Sequence, residues 1–305
     1  MTDKKEYINK VFFHSNENMK ELPDNSVDLI ITSPPYWDIK DYSKTGGELG
    51  NEQKHSEQNE ADMGAIKSYE DYINRCLITW KECYRVLKPG CKFCLNIPTV
   101  NRRGKMGAYS ISYDMRKNIL ENTPFKFFNL VVWHKKSRPN PFSEGSWPFP
   151  GEIYTWFGLT EDIIIFVKPG EHPDEYDEEI WEKSQLTREE LNEFINPVWY
   201  ILPPRTRTSE HSAVMSLKIV ENLVKMYSFV GNLVMDPFTG SGTTLKGAKL
   251  LDRNWVGYEL YPFYKSVIEK NLGVKLADEL PQEQVEPVKK VDEPEQKTKI
   301  EDLMF

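Results

Sequence analysis

Residues 232–244 read NLVMDPFTGSGTT. An apolar run of strand length ends in an acid, Asp236, followed by Pro237, Phe238 and the turn Thr239-Gly240-Ser241-Gly242. Helix-forming sequence, TTLKGAKLL, starts near Thr243, and a second apolar run, NWVGYEL, comes after it. Strand, helix and strand in this order make a β-α-β unit. Glycine in the turn permits positive φ and close approach of the backbone to a ligand. The helix start behind it offers unpaired N–H groups. Glu259 ends the second strand, 23 residues after Asp236. In dinucleotide folds an acid at about 20 residues' distance meets ribose hydroxyls. The unit reads as a holder for an adenosine-like ligand, and an ordinary Gly-containing turn is the plainer alternative.

The kind of ligand can be narrowed. A Walker A loop is excluded, because Thr243 follows Gly242 and Lys246 comes too late. The run GSGTTL lacks the third glycine of a nicotinamide-dinucleotide fingerprint. Asp236 sets a negative charge at the strand end. That suits a ligand with a cationic amino group better than a pyrophosphate, and S-adenosylmethionine carries both an ammonium and a sulfonium.

Outward from this unit, strands and helices alternate. VDLIIT at 27–32 is a short apolar run of the kind a buried parallel strand shows. A helix is expected from about Tyr69 to Lys88, with a stripe of Ile73, Leu77, Trp80, Tyr84 and Leu87, stopped by Pro89-Gly90. CKFCLNI, FFNLVVWHK and DIIIFVK read as strands, and residues 213–228 as an amphipathic helix carrying Val214, Leu217, Val220, Leu223 and Val224. The pattern predicts an α/β fold: a doubly wound, mostly parallel sheet covered on both faces, with ligands at the carboxyl ends of its strands. Residues 40–68 are polar and Gly-rich and read as a long loop. Residues 171–208 run acidic, then aromatic, then basic, and read as a small inserted module. Residues 275–305 lack periodicity and read as a disordered tail.

A second unusual loop falls at the same edge. After VDLIIT come Ser33, Pro34, Pro35, Tyr36 and Trp37. Proline fixes φ and removes its own N–H, and the residue before it is held extended. The loop is therefore stiff and rich in acceptors. Ser33 Oγ and the Pro34 carbonyl are two acceptors at fixed spacing, suited to an –NH2 group, and Tyr36 adds a flat face. A strand terminator with Tyr36 in the core is an equally good reading of these residues by themselves.

The chain has four cysteines, Cys76, Cys83, Cys91 and Cys94. The C-x-x-C spacing of the last two invites a metal or redox reading. Strand alternation sends them to opposite faces, so all four read as buried thiols, and no metal cluster is expected. The net charge of −8 hides a division. Residues 99–140 carry nine Lys/Arg against two Asp/Glu, and residues 161–195 carry three against twelve. A local basic surface can steer a polyanion despite a global acidic balance. No apolar run approaches the roughly 20 residues a bilayer requires, and MTDKKEYINK lacks a signal-peptide core. The chain reads as intracellular and cytoplasmic.

SPPY at 33–36 and DPFTGSGTT at 236–244 together resemble the amino-methylating DNA methyltransferases, which modify cytosine N4 or adenine N6. LPDNSVDLI, RVLKPG at 85–90, VVWHK at 131–135 and VGYEL at 256–260 agree, and the resemblance spans about residues 10–270. The catalytic loop precedes the cofactor loop, as in the permuted β class. Two positions depart from the family pattern: His14 stands where an Asp is usual, and His211-Ser212-Ala213 replaces His-Pro-Ala.

The resemblance implies a Rossmann-like S-adenosylmethionine-dependent methyltransferase fold over 1–272, with 171–208 as the target-recognition insertion. It implies that Asp236, Phe238, Thr239, Gly240, Ser241, Gly242, Thr243 and Thr244 hold the donor, with Glu259 on its ribose. It implies Ser33, Pro34, Pro35 and Tyr36 as the catalytic loop, acting on a base flipped out of double-stranded DNA. Ser33 ahead of Pro-Pro-Tyr favours cytosine N4, with adenine N6 as the alternative. RNA or protein-glutamine methylation and a non-catalytic nucleotide-binding module stand further off. Ring-carbon methylation needs a Pro-Cys nucleophile, which the sequence lacks. Candidate phosphate contacts are Arg102, Arg103, Lys105, Lys135, Lys136 and Arg138, while Arg205 and Arg207 are placed to reach base edges. A companion restriction endonuclease and an oligomer are both compatible with such an enzyme.

Overall fold

The computed structural model describes residues 6–37, 62–103, 107–136, 157–172, 175–204 and 215–277. Most of the polar 40–68 stretch and the tail beyond 277 lie outside these residues. In chain order, β1 (Lys10–Phe12) and β2 (Val27–Thr32) precede α1 (Tyr69–Val86) and β3 (Leu87–Pro98). A small ribbon of β4 (Asn101–Arg103) and β5 (Gly107–Tyr109) leads into α2 (Ile111–Asn122), β6 (Lys126–His134) and β7 (Thr160–Val167). Then come α3 (Glu178–Ser184), α4 (Arg188–Phe194), β8 (Val198–Tyr200) and α5 (Leu217–Tyr227). They are followed by β9 (Leu233–Asp236), α6 (Thr243–Leu250), β10 (Asn254–Tyr258) and α7 (Lys265–Leu272).

The main sheet has the order β1-β10-β9-β2-β3-β7-β6-β8. Every neighbouring pair is parallel except β3–β7 and β7–β6. The central strands β2 and β9 are buried at every position, which is why they read as unbroken apolar runs. One face packs under α1 and α2, with Ile30, Phe93, Leu95, Phe166 and Met235 beneath Trp80, Cys83 and Met115. The other packs under α5, α6 and α7, with Leu29, Ile31, Ile163 and Val234 against Val220, Leu245 and Ile268. The sheet is doubly wound, as its alternation implied. Cys91 and Cys94 fall in opposite layers, and all four thiols are buried. Burial pushes the Cys76 thiol up to about 12, which makes it a packing group and not a nucleophile.

Several local expectations shift. The buried face of α1 is Tyr72, Ile73, Cys76, Thr79, Trp80, Cys83 and Val86. The cysteines thus sit at its centre, and Leu77 and Tyr84 stand at its flanks. The helix stops at Val86, because Leu87 already pairs with Val27 in the sheet. Pro89-Gly90 lies within β3, beside an irregularity in the β2–β3 register. The helix over 213–228 is α5 and starts one turn later, after Ser216.

The 171–208 stretch contributes β8, which extends the main sheet beside β6. Its helix α4 is tied to α5 by ion pairs of Glu190 with Lys225 and of Glu193 with Lys218. Among the described residues no helix is long and apolar enough to cross a membrane.

The turn after β9 packs tightly on β10. A Cβ added at Gly257 would stand 2.2 Å from Thr239 Oγ1 and 3.0 Å from Leu245 Cδ1. Gly257→Ala is expected to lower the unfolding free energy by about 1–3 kcal/mol, measured by urea titration. Adding Thr239→Ala should recover part of the loss.

Candidate active site

β2 and β9 are parallel neighbours, with Leu29 opposite Val234 and Ile30 opposite Met235. Their carboxyl ends therefore lie side by side, although the loops they feed are two hundred residues apart in sequence. Thr32 Oγ1 donates to Asp236 Oδ1 at 2.6 Å across this junction. The Phe238 N–H donates to the same oxygen at 3.0 Å. Thr239 Oγ1 caps the Asp236 carbonyl at 3.1 Å. Asn16 Nδ2 donates to the Pro237 carbonyl at 2.6 Å, and Asn16 is itself steadied by Thr79 Oγ1 at 2.8 Å. Phe238 leans on the core, its ring 5.9 Å from that of Trp80. Gly242, at φ 83°, caps α6 in the left-handed conformation that side chains resist.

Glu259 lies just past β10 and closes the other side of the turn. It accepts from Gly240 N at 2.8 Å and from Tyr261 N at 3.0 Å. Burial pushes its carboxyl up to about 7, against the lowering effect of those two N–H groups. Burial likewise pushes Asp236 up to about 6, opposed by hydrogen bonds from Thr32 and Thr244. Two buried carboxyls beside a Gly turn and a helix N-terminus form an acceptor-rich cradle. It suits a ligand that brings positive charge and hydroxyl donors, and this is the fit S-adenosylmethionine requires.

At the position of the departure, His14 Nε2 lies 3.2 Å from Glu21 Oε1, and the Tyr258 hydroxyl donates to Glu21 Oε2 at 3.2 Å. The acid beside β10 on this side is thus Glu21, joined to His14.

The SPPY loop is held from three directions. The Tyr72 hydroxyl of α1 donates to the Pro35 carbonyl at 3.0 Å. Trp37 is enclosed by Tyr69 and Tyr109, each ring 5.0 Å away. Ser33 Oγ donates to the Tyr36 hydroxyl at 3.0 Å, and that hydroxyl donates to Glu161 Oε2 at 2.9 Å. Asn96 Nδ2 donates to Glu161 Oε2 at 2.6 Å and to Tyr36 at 3.2 Å. Tyr36 is 4% exposed. Neither Glu161 nor Asn96 was singled out from the sequence. The signal was Asn96 inside the apolar strand CLNIP and the acids Glu161 and Asp162 at the head of TEDIIIFV. β7 runs antiparallel, so its first residues arrive at the edge where its neighbours end, with Pro98 opposite Glu161.

The basic candidates divide. Arg102 and Arg103 lie on the β4–β5 ribbon that directly follows β3, which Tyr109 docks against Trp37. Lys136 is exposed just past β6. Lys135 turns inward, its ammonium 2.6 Å from Glu161 Oε1. Lys105, Arg138, Arg205, Arg207 and the 211–213 variation lie outside the described residues. Among the described residues, one trio with metal-ligand chemistry, Asp28, Cys91 and His172, occurs at the opposite edge of the sheet. Lys88 Nζ, 2.7 Å from Asp28, already supplies a cation there.

The raised carboxyls carry a sign. An acid whose folded pKa exceeds its unfolded value stabilises the fold below the latter and loses that contribution as pH rises through the former. For Asp236 and Glu259 the window opens near their ordinary values of 3.8 and 4.5 and closes by about 6 and about 7. Asp236→Asn should therefore raise the melting temperature of the ligand-free protein at pH 8 and leave it little changed at pH 4. Differential scanning calorimetry of both proteins across this range checks it.

Comparison with known proteins agrees with the geometry. The family model for N6/N4 DNA methylases matches residues 27–270. The type II methyltransferase M.MjaI of Methanocaldococcus jannaschii is 31% identical over 281 residues, covering 87% of this chain and 91% of the relative. M.MthZI of Methanothermobacter thermautotrophicus is 29% identical over 283 residues, covering 89% and 79%. Among solved structures, TTHA0409 of Thermus thermophilus, described as a DNA modification methylase and solved with S-adenosyl-L-methionine, superposes with a TM-score of 0.68. It is 25% identical, and the match covers 90% of this chain and 99% of that one. With a Pro-Pro-Tyr loop and a Gly-turn cradle on adjacent strand ends, the chain belongs to the N6/N4 DNA methylase family.

Proposed function

We propose that this chain is a site-specific methyltransferase that places a methyl group on the exocyclic N4 amine of a cytosine flipped out of duplex DNA. The observation that carries this reading is the junction of the two loops, where Thr32 Oγ1 meets Asp236 Oδ1 at 2.6 Å. A donor held on the Asp236 side and an amine held on the Ser33 side share one crevice.

S-adenosylmethionine, when bound, supplies an electrophilic methyl on a sulfonium. Asp236 faces the donor's positive charge, the 239–244 turn and Phe238 line its seat, and Glu259 accepts from its ribose hydroxyls. Ser33 Oγ and the Pro34 carbonyl accept the two N–H bonds of the target amine. This draws the nitrogen lone pair out of conjugation with the ring and aims it. The lone pair forms the N–C bond as the S–C bond breaks, sulfur keeps the electron pair, and the surplus proton leaves the amine to solvent. The protein contributes positioning and electrostatics, with no covalent intermediate of its own. Tyr36 stacks on the flipped base, an interaction worth about 1–3 kcal/mol.

Ser33 at the head of the loop is what favours cytosine N4 over adenine N6. The β4–β5 ribbon with Arg102 and Arg103, together with exposed Lys136, is the surface we assign to the DNA backbone. The 171–208 segment, with Arg205 and Arg207 at its end, is assigned to sequence recognition. The named relatives are type II methyltransferases, which supports a companion restriction endonuclease.

The two loops should separate kinetically. Tyr36→Ala is expected to lower single-turnover methyl transfer by roughly ten- to a hundredfold with donor affinity within about twofold of the parent. Asp236→Ala should lose donor binding by calorimetry. Full transfer by the first variant, or full affinity in the second, would contradict the assignment of that loop.

A further inference from the structure

Glu161 has no role in the chemistry described so far, yet three groups converge on it at the catalytic loop. It is 4% exposed. Its Oε1 meets Lys135 Nζ at 2.6 Å, and its Oε2 accepts from Asn96 Nδ2 at 2.6 Å and from the Tyr36 hydroxyl at 2.9 Å. Resting on the methyltransferase reading above, we propose that Glu161 is a positioning residue that makes Tyr36 a donor to the carboxylate and an acceptor from Ser33, so that Ser33 meets the target amine as an acceptor.

The count of hydrogens fixes each direction. A carboxylate accepts and does not donate. The single hydrogen of the Tyr36 hydroxyl is therefore committed to Glu161. Asn96 Nδ2 is committed the same way, since its carbonyl oxygen would repel the carboxylate. The Tyr36 oxygen is then an acceptor for its remaining neighbours, and Ser33 Oγ, 3.0 Å away, gives it its only hydrogen. What Ser33 has left is lone pairs, and an amine approaching with N–H bonds needs lone pairs. A serine free to rotate would present its hydrogen to the amine nitrogen part of the time and tie up the electron pair that must attack. The relay transfers no proton. It fixes hydroxyl orientations before the base arrives, a form of electrostatic preorganisation.

Lys135 completes the device. It balances the charge of Glu161 and dictates how a substitute would lie. In Glu161→Gln the amide oxygen would turn to the Lys135 ammonium, which leaves the NH2 facing Tyr36. That NH2 would turn the Asn96 amide oxygen inward, Tyr36 would accept from the substitute amide, and its hydrogen would no longer be committed to a carboxylate, so Ser33 would no longer be held as a donor to Tyr36. The relay loses its fixed direction with no change in side-chain size.

The test is a double-mutant cycle on the full-length protein with methyl-labelled S-adenosylmethionine and duplex DNA. Glu161→Gln is expected to lower the single-turnover rate by about tenfold or more, the loss expected of a charge-assisted hydrogen bond. Donor and DNA dissociation constants should stay within about threefold. Tyr36→Phe keeps the ring and removes the relay. In that background Glu161→Gln should cost almost nothing further, whereas a purely structural role would cost the same factor in both backgrounds. A wild-type rate in Glu161→Gln, or equal losses in the two backgrounds, overturns the proposal. Should Glu161→Gln not fold, Tyr36→Phe alone decides: a rate loss at unchanged binding supports the relay, and a full rate overturns it. A parent protein that transfers no label to DNA overturns the methyltransferase reading and the relay together. An active parent with an unaffected variant overturns the relay alone.

Discussion

The hydrogen bond between Thr32 and Asp236 joins the ends of two strands about two hundred residues apart in the chain. β2 and β9 are adjacent, parallel and buried along their whole extent, so their carboxyl ends have no freedom to part. Everything chemical in the molecule hangs on that adjacency. The Gly turn follows one strand and the Pro-Pro-Tyr loop follows the other, and each is braced by groups from further away: Asn16 on Pro237, Tyr72 on Pro35, Glu161 on Tyr36. The sheet supplies the distance and the braces supply the orientation, which is the division of labour a methyl transfer needs.

The same junction carries an electrostatic cost. Asp236 and Glu259 are buried among neutral donors, and burial raises both above the ordinary carboxyl range. Buried acids of this kind cost stability when ionised and mark candidate functional sites. At the catalytic loop the opposite design holds. Glu161 is met by Lys135 and Asn96, so its charge is balanced within the protein. Asp236 and Glu259 are met by neutral donors, and Glu161 is met by an ammonium and an amide. The two halves of the crevice thus play different roles even though both are built from carboxylates.

Much of this was legible in the residues themselves. The strand-turn-helix at 232–250 and the stiff loop at 31–37 declare themselves because glycine and proline constrain the backbone locally. Alternation of apolar runs foretold the double winding and the split of Cys91 from Cys94. What stayed hidden depends on tertiary pairing. That β7 runs antiparallel is invisible in DIIIFVK, and without its direction Glu161 cannot be placed beside Tyr36. The short strands β1 and β8 have too few residues to show a period, and β8 draws part of the acidic-to-basic module into the main sheet. The buried face of α1 takes in Cys76 and Cys83 beside Trp80 while Leu77 stands at its flank, a choice that depends on how the helix is rotated on the sheet.

A donor in the Asp236 cradle and an amine at Ser33, as proposed, react in one crevice. The most direct measurement is incubation of the purified protein with methyl-labelled S-adenosylmethionine and mixed-sequence duplex DNA, followed by digestion to nucleosides and chromatography. The expected result is label in N4-methylcytosine alone. Label in N6-methyladenine would contradict the choice of base while leaving the crevice intact. Label in a ring-carbon methylated base, or in no nucleoside, would contradict the account itself.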